Sequence, residues 1–247
     1  MKKKVRFFTG CSGFYNPQWK GTFYPEDLPQ RQFLEFYADQ LNSLEINTSF
    51  YHFPTQERLK NFHDRVPRHF KFSVKAPRLI THMKRFNDCE RLMNDFYNAC
   101  EKGLQKKLGC LLFQLPPGID YNESKLEQII QFMQPGFRNV IEFRHKSWWN
   151  KTVYEMLEGK KIIFCSISHP EHRDKLIINS SIAYVRYHGK PNLFYSNYNA
   201  AQLRRLYKNL EKKEKLKEAY IYFNNTAGTA GILNALKLSG IISEAAH

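Results

Sequence analysis

Eight short apolar segments of strand character recur along this chain, and most of the gaps between them carry a helical pattern. The strand-like segments fall near residues 5–10, 43–48, 70–75, 109–114, 139–144, 161–166, 182–187 and 219–224. Helical periodicity is expected near 31–41, 55–65, 88–105, 123–133, 147–158, 200–216 and 229–239. Phe33, Leu34, Tyr37 and Leu41 make one apolar stripe, and Leu126, Ile129, Ile130 and Met133 another, with Asn122 or Ser124 placed to cap its start. The gap from Ser168 to Ser181 is different: it is short, charged and holds Pro170, and predicts no more than a turn of helix. Strands separated by helices with short connections pair in parallel. Eight such units in 247 residues favour closure into a single (β/α)8 TIM-like barrel spanning 1–247 over an open doubly wound sheet. Segment 11–30 is a long first βα loop, rich in Gly, Pro and aromatics, able to cover one end of such a barrel.

The strands also share a second pattern. Polar residues stand near their C-terminal ends and, where paired, are two apart: Glu45 and Asn47, Ser73 and Lys75, Glu142 and Arg144, Arg186 and His188, with Gln114 and the Asn224–Asn225 pair on two further strands. Residues two apart share a face of a strand. The intervening Leu44, Ile46, Phe72, Val74, Ile141, Phe143, Val185, Tyr187, Ile221 and Phe223 are apolar or aromatic and face the other way. One apolar face and one partly charged face suit a sheet closed around a polar cavity, with a small-ligand site where the strands end.

The stretches GCSGFYNPQWKGTFYP, LEINTSFYHFPT, FKFSVKAPRLITH, FQLPP, IEFRHKSWW, YVRYHG and YFNNTAGTAGILNA occur in this order from residue 10 to residue 235. In these motifs the chain resembles the domain-of-unknown-function 72 family (YecE-like proteins). The resemblance covers nearly the whole sequence and implies a TIM-barrel-like fold, in agreement with the strand count. It implies no established activity. The usual opening of the family would have Thr where Cys11 stands, which argues against a catalytic Cys11.

Lys75, Arg144 and Arg186 come from strands three, five and seven, and odd strands share interior layers in these barrels. Converging cations in a water-poor site would bind phosphate, sulfate or carboxylate, with arginine giving bidentate contacts. The plainer reading is an internal ion-pair network of the same three cations with Glu45 and Glu142, since buried charges must be paired; the two readings are compatible. Glu45, Glu142 and His188 are the catalytic candidates. His188 suits proton transfer near neutrality, with His82 second to it. Paired carboxylates allow a glycosidase reading, although an adjacent Arg144 would hold Glu142 ionised. Lys75 allows imine chemistry if neighbouring arginines depress its pKa. Asn47, Tyr51, Lys75, Gln114, Arg144, Trp148, Arg186, Asn224 and Asn225 are the substrate-binding candidates. Tyr15, Trp19, Tyr24, Tyr51, Trp148 and Trp149 crowd the same rim, where they would either stack on a ligand or pack loops onto the barrel. Of Trp148 and Trp149, which open a helical segment, one should face inward. Gly228 and Gly231 lead into the last helix and suggest either a phosphate-binding turn or close helix packing.

The histidines show no HxH or HExxH spacing. A hard-metal site from Glu45, Glu142 and His188 has suitable donors without a spacing signature, so no cofactor is expected and a divalent metal stays open. Five scattered cysteines with no CxxC pair fit a reducing compartment. The basic head lacks the apolar stretch of a signal peptide and no run is long enough to span a bilayer, so a cytoplasmic location without membrane association is expected. Formal charge is +15, partly in runs such as Lys2–Lys4. An ordinary basic surface accounts for it; an anionic partner would account for it as well. The leading reading is therefore an enzyme acting on a small anionic or polyhydroxylated substrate at the barrel mouth, its reaction class (isomerase, lyase or hydrolase) open. The alternatives are a nucleic-acid-binding or nucleic-acid-processing barrel and a non-catalytic ligand sensor.

Overall fold

The computed structural model describes residues 4–245; Lys2 and Lys3 of the basic head and His247 lie outside them. Eight parallel strands form one sheet: β1 (Arg6–Cys11), β2 (Ser43–Ile46), β3 (Lys71–Lys75), β4 (Leu108–Gln114), β5 (Asn139–Glu142), β6 (Ile163–Ser168), β7 (Ile182–Tyr187) and β8 (Glu218–Phe223). Backbone ladders join β1 to β8 and then each strand in turn back to β2. The helices are α1 (Phe33–Gln40), the single turn α2 (Thr48–Tyr51), α3 (Gln56–Asp64), α4 (Glu90–Leu104), α5 (Glu123–Gln131), α6 (Lys151–Gly159), α7 (Ala200–Glu211) and α8 (Ala230–Glu244). This is a (β/α)8 TIM-like barrel.

Side chains close the seam between β1 and β2. The Asn42 amide accepts from Thr9 N and donates to Phe7 O, both at 2.8 Å, which imitates a rung of a ladder. The Tyr37 hydroxyl accepts from Cys11 N at 2.7 Å and donates to Ser43 O at 3.1 Å. The strands meet so closely that a Cβ on Gly10 would lie 1.9 Å from Ser43 O, which admits only glycine there.

The alternation of the strands sorts the core in two. Leu44, Ile46, Phe72, Val74, Ile141, Phe143, Val185, Ile221 and Phe223 pack outward in the core beneath the helices. Phe8, Cys110, Leu112, Val140, Ile163, Cys165, Tyr184, Tyr220 and Tyr222 fill the barrel interior. The Asn122 side chain caps α5 by accepting from Lys125 N at 3.1 Å. No helix stands between β6 and β7. Segment 175–179 runs along β6 in its place, tied by Ser166 to both backbone groups of Ile177 and by Asn179 to Phe164 N and Ile162 O.

The first loop folds down as expected. Trp19 and Tyr24 are almost fully buried; the Trp19 indole donates to Gly228 O at 3.0 Å, Asn16 donates to Thr226 O, and Tyr24 stacks on Phe33. Gly231 serves helix packing, since a Cβ there would lie 2.8 Å from Thr226 Cγ2 and 3.0 Å from Asn225 O. All five cysteines are free and buried, and burial pushes the Cys11 thiol far up, away from the reactive thiolate. Among the described residues no helix is long and apolar enough to cross a membrane.

Candidate functional site

Because the strands are parallel, their C-terminal ends gather at one pole, and the paired polar residues gather with them. Arg186 of β7 lies at the centre. Its Nη1 donates to Glu142 Oε2 and its Nη2 to Glu45 Oε2, each at 2.7 Å. All three side chains are sealed from solvent. Glu45 also accepts from the Ser12 hydroxyl at 2.5 Å and the Tyr184 hydroxyl at 2.7 Å. The other oxygen of Glu142 accepts from Arg144 Nε. Burial alone would raise the Glu142 pKa, but the guanidiniums of Arg144 and Arg186, helped by His188, hold it well below the usual carboxylate range. Burial likewise opposes charge on Arg186, and the two carboxylates override it.

His188 is enclosed between these groups. The Asn224 amide meets its Nδ1 at 2.9 Å, and Nε2 lies 3.3 Å from Glu142 Oε1. The Arg144 Nη2 atom is nearly equidistant from the two ring nitrogens, at 3.2 and 3.4 Å. One donor cannot come this near both ring nitrogens in the ring plane without colliding with Cε1, so the guanidinium approaches the imidazole face. Burial first, and then the Arg144 charge, drive the His188 pKa well below the usual imidazole value. The ring is therefore neutral at physiological pH, and the Asn224 contact marks Nδ1 as its acceptor nitrogen.

Lys75 stands apart. It ends β3, is 9% exposed, and its Nζ sits 4.0 Å from the centre of the Phe50 ring. Phe50 is held there by α2, whose Ser49 hydroxyl lies 2.6 Å from Lys75 O and 2.9 Å from Ile46 O, tying the turn to both strands. Among the described residues Lys75 Nζ forms no ion pair and no hydrogen bond. Burial, and then the Arg186 charge, lower its pKa from the usual lysine value to about 7.

Of the residues singled out from the sequence, Glu45, Lys75, Glu142, Arg144, Arg186, His188 and Asn224 come together at this pole. Glu45, Glu142 and His188 are fully buried, whereas Lys75 and Arg144 reach solvent in part, Arg144 with 13% of its side chain exposed. Asn47, Gln114 and Asn224 are partly exposed at the strand ends, and Tyr51 is 75% exposed. An apolar slot of about 270 Å³ leads down to Ser12 and Glu45 between Phe14, Tyr15 and Tyr51.

Three expectations are corrected. Trp148 does not reach a ligand: it is buried, stacked on Phe143, and its indole donates to Ile119 O. It belongs to a short 3-10 turn (Lys146–Trp148) ahead of α6, which points it into the core, while Trp149 lies half-buried over Phe164 and His172. Asn225 turns away from the mouth and ties the last loop to Ser196 O and Asn234. Lys75 also stays outside the ion-pair network expected to include it.

Ser12, Phe50 and Tyr184 were missed from the sequence. Tyr184 is two residues before Arg186, in phase with the polar face, but reads as apolar filling. His169 and His172 were missed as well. His169 packs against both His172 and His188, and the His172 Nε2 donates to Arg144 O at 2.9 Å, steadying that arginine. Among the described residues no group of three or more His, Cys, Asp or Glu is placed to hold a metal ion.

A (β/α)8 barrel with a charged layer at the C-terminal pole defines a class of scaffold and leaves its chemistry open. Residues 8–247 match the model of the family described as "Protein of unknown function DUF72", and the chain belongs to that family. It is similar to the UPF0759 protein YunF of Bacillus subtilis (strain 168), 22% identical over 240 residues that cover 84% of this chain and 85% of that protein. It is 28% identical to the UPF0759 protein YecE of Escherichia coli (strain K12) over 121 residues, 48% of this chain and 43% of that protein. A DUF72 family protein from Thermotoga maritima MSB8 superposes with a TM-score of 0.86 at 26% identity, covering 96% of this chain and 99% of that one. One from Enterococcus faecalis V583 does so at 0.80 and 19%, covering 98% and 99%.

Proposed function

We propose that the chain is an enzyme acting on a small anionic or polyhydroxylated compound bound over the C-terminal mouth of the barrel. One observation carries this reading: Lys75 is a buried amine at the pole where such barrels bind ligands, and among the described residues no carboxylate pairs with it directly. Arg144 stands nearby with its Nε committed to Glu142 and part of its guanidinium uncovered. A phosphate or carboxylate between Lys75 and Arg144 would supply the missing counter-charge. Asn47, Gln114 and Asn224 offer donors and acceptors suited to hydroxyl groups. In this reading Arg186, Glu45, Glu142 and His188 are positioning residues. They fix Arg144 from beneath and set the field around Lys75, while the group that meets the substrate is Lys75 itself.

Thermal-shift measurements with phosphosugars and small carboxylates test the proposal. A ligand at about 100 times its Kd stabilises the folded state by about 2.7 kcal/mol. That shift should vanish in Arg144→Ala and Lys75→Ala. Equal shifts in all three proteins for every ligand would remove both cations from the binding role.

A second reading rests on a cleft of about 690 Å³ beside the mouth, lined by Trp149, Lys146, Arg173, Lys175 and Lys190 together with Glu171. Cations sharing a cleft with an indole suit a single-stranded nucleic acid, whose phosphates and bases would be met by charge and stacking. Affinity for an oligonucleotide that falls steeply with salt and is weakened by Lys146→Glu would support it; salt-independent or absent binding would end it.

A further inference from the structure

We propose that Lys75 is a covalent nucleophile that forms an imine with a small aldehyde or ketone bearing an anionic group. The proposal rests on the reading of the mouth as the substrate site and names the chemistry performed there.

An ordinary buried lysine is matched with a carboxylate, which keeps it protonated and unreactive. Here the two nearby carboxylates are already committed to arginines. Glu45 and Glu142 both pair with Arg186, and Glu142 pairs with Arg144 besides. Lys75 is left with the face of Phe50 and with cations as neighbours. Burial and positive charge both favour the free amine, so a large share of Lys75 carries a lone pair near neutrality. The same site tolerates the positive charge that imine formation creates. The Phe50 face attracts a cation at 4.0 Å, and the field of Glu142 and Glu45 acts in the same direction.

The Nζ lone pair attacks the carbonyl carbon and the C=O π pair moves to oxygen, which takes a proton from solvent. The resulting carbinolamine, having lost one Nζ proton to solvent, expels its protonated hydroxyl as water. In sum R–NH2 + O=CR′2 + H+ gives R–NH+=CR′2 + H2O, with no oxidation or reduction. The protonated imine is an electron sink for breaking a bond at the adjacent carbon. Arg144 supplies the charge that would hold the anionic end of the substrate, which restricts the class to oxo acids and phosphorylated carbonyl compounds.

Two measurements on the full chain test this. The first is acylation of lysines by acetic anhydride across pH, read by peptide mass. Lys75 should react with a midpoint near pH 7 and, at pH 7, at least about tenfold faster than exposed lysines, whose unperturbed pKa is about 10.4. The second is incubation with pyruvate or glyceraldehyde 3-phosphate followed by sodium cyanoborohydride, which delivers hydride to the imine carbon. One adduct should form, map to Lys75, saturate with probe concentration and disappear in Lys75→Met. The Lys75→Met circular dichroism spectrum and melt establish that this variant is folded. An ordinary lysine titration at Lys75, adducts only at surface lysines, or no adduct with either probe would overturn the proposal. Ligand-induced shifts that depend on Arg144 can survive each of those results, so failure of the imine and failure of the binding reading are distinguishable.

Discussion

Arg186 and Glu142 meet at 2.7 Å across the barrel, from β7 to β5, and neither side chain is more than 1% exposed. A charge pair so placed is held by geometry: breaking it leaves an uncompensated ion, which costs about 3–5 kcal/mol. Arg186 answers two carboxylates at once. Arg186→Leu leaves the buried Glu45 carboxylate with only hydroxyl donors and should therefore destabilise the fold by at least that amount. Urea denaturation should show a clearly lower midpoint for the variant; a variant as stable as wild type would mean that both carboxylates find other partners.

Acid should act on this protein before its carboxylates titrate. Burial, and then neighbouring cations, lower His82 and His169 to about 4; burial lowers His172 and His188 as well. The unfolded chain protonates these rings near pH ~6.5 while the folded chain does not. Between those values the unfolded state binds more protons, so stability rises with pH, and it falls as pH drops below ~6.5. Each ring contributes up to about 1.4 kcal/mol per pH unit. Below the usual carboxylate range, Glu142 continues the loss in the same direction. Thermal melts should fall from pH 8 to pH 7 as Lys75 takes up its proton, and should fall again below about 6.5 as the rings charge in the unfolded chain. His169→Gln should reduce that slope; an unchanged slope would show that His169 titrates alike in both states.

The seam between β1 and β2 depends on the Tyr37 hydroxyl and on the close approach that Gly10 allows. Tyr37→Phe removes the hydroxyl that serves both Cys11 N and Ser43 O, leaving two buried backbone groups without a partner, at about 1–3 kcal/mol each. Gly10→Ala is expected to be worse, because its methyl group would meet Ser43 O at 1.9 Å and the strands must part. Denaturation midpoints should rank wild type, then Tyr37→Phe, then Gly10→Ala. Hydrogen exchange should place the loss of protection in β1 and β2.

The barrel and its charged pole were legible in the sequence for a specific reason. A strand has a period of two, so residues such as Glu142, Arg144, Arg186 and His188 declare a face, and parallel strands deliver those faces to one end. The missing helix after β6 was visible as a short gap with Pro170. Pairing was not legible. That Arg186 takes both carboxylates and leaves Lys75 without an ion pair among the described residues depends on side-chain lengths and strand stagger, which periodicity does not carry. Trp148 misled for a similar reason: the 3-10 turn before α6 rotates it inward, and a local change of helical pitch leaves no mark in the spacing of apolar residues. Asn225 was grouped with Asn224, although neighbours in a chain leaving a strand point to opposite sides.

Lys75 should weaken the fold that holds it. Its pKa is about 7 when folded and near the usual lysine value when unfolded, so below pH 7 the chain folds with a buried ammonium that lacks a counter-charge. Between pH 7 and the unfolded value, the unfolded chain binds more protons and stability rises with pH. Lys75→Met keeps an unbranched side chain against Phe50 and removes the charge. It should stabilise the protein by about 1–3 kcal/mol at pH 6, a gain that shrinks steadily as pH is raised through 7 towards 10. A loss of stability at pH 6 would show that the ammonium finds an anion in solution and that the lysine contributes to the fold. The predicted gain, measured by denaturant titration at pH 6, 8 and 10, identifies Lys75 as a residue retained at the expense of stability, which is expected where a cavity is shaped for a reaction.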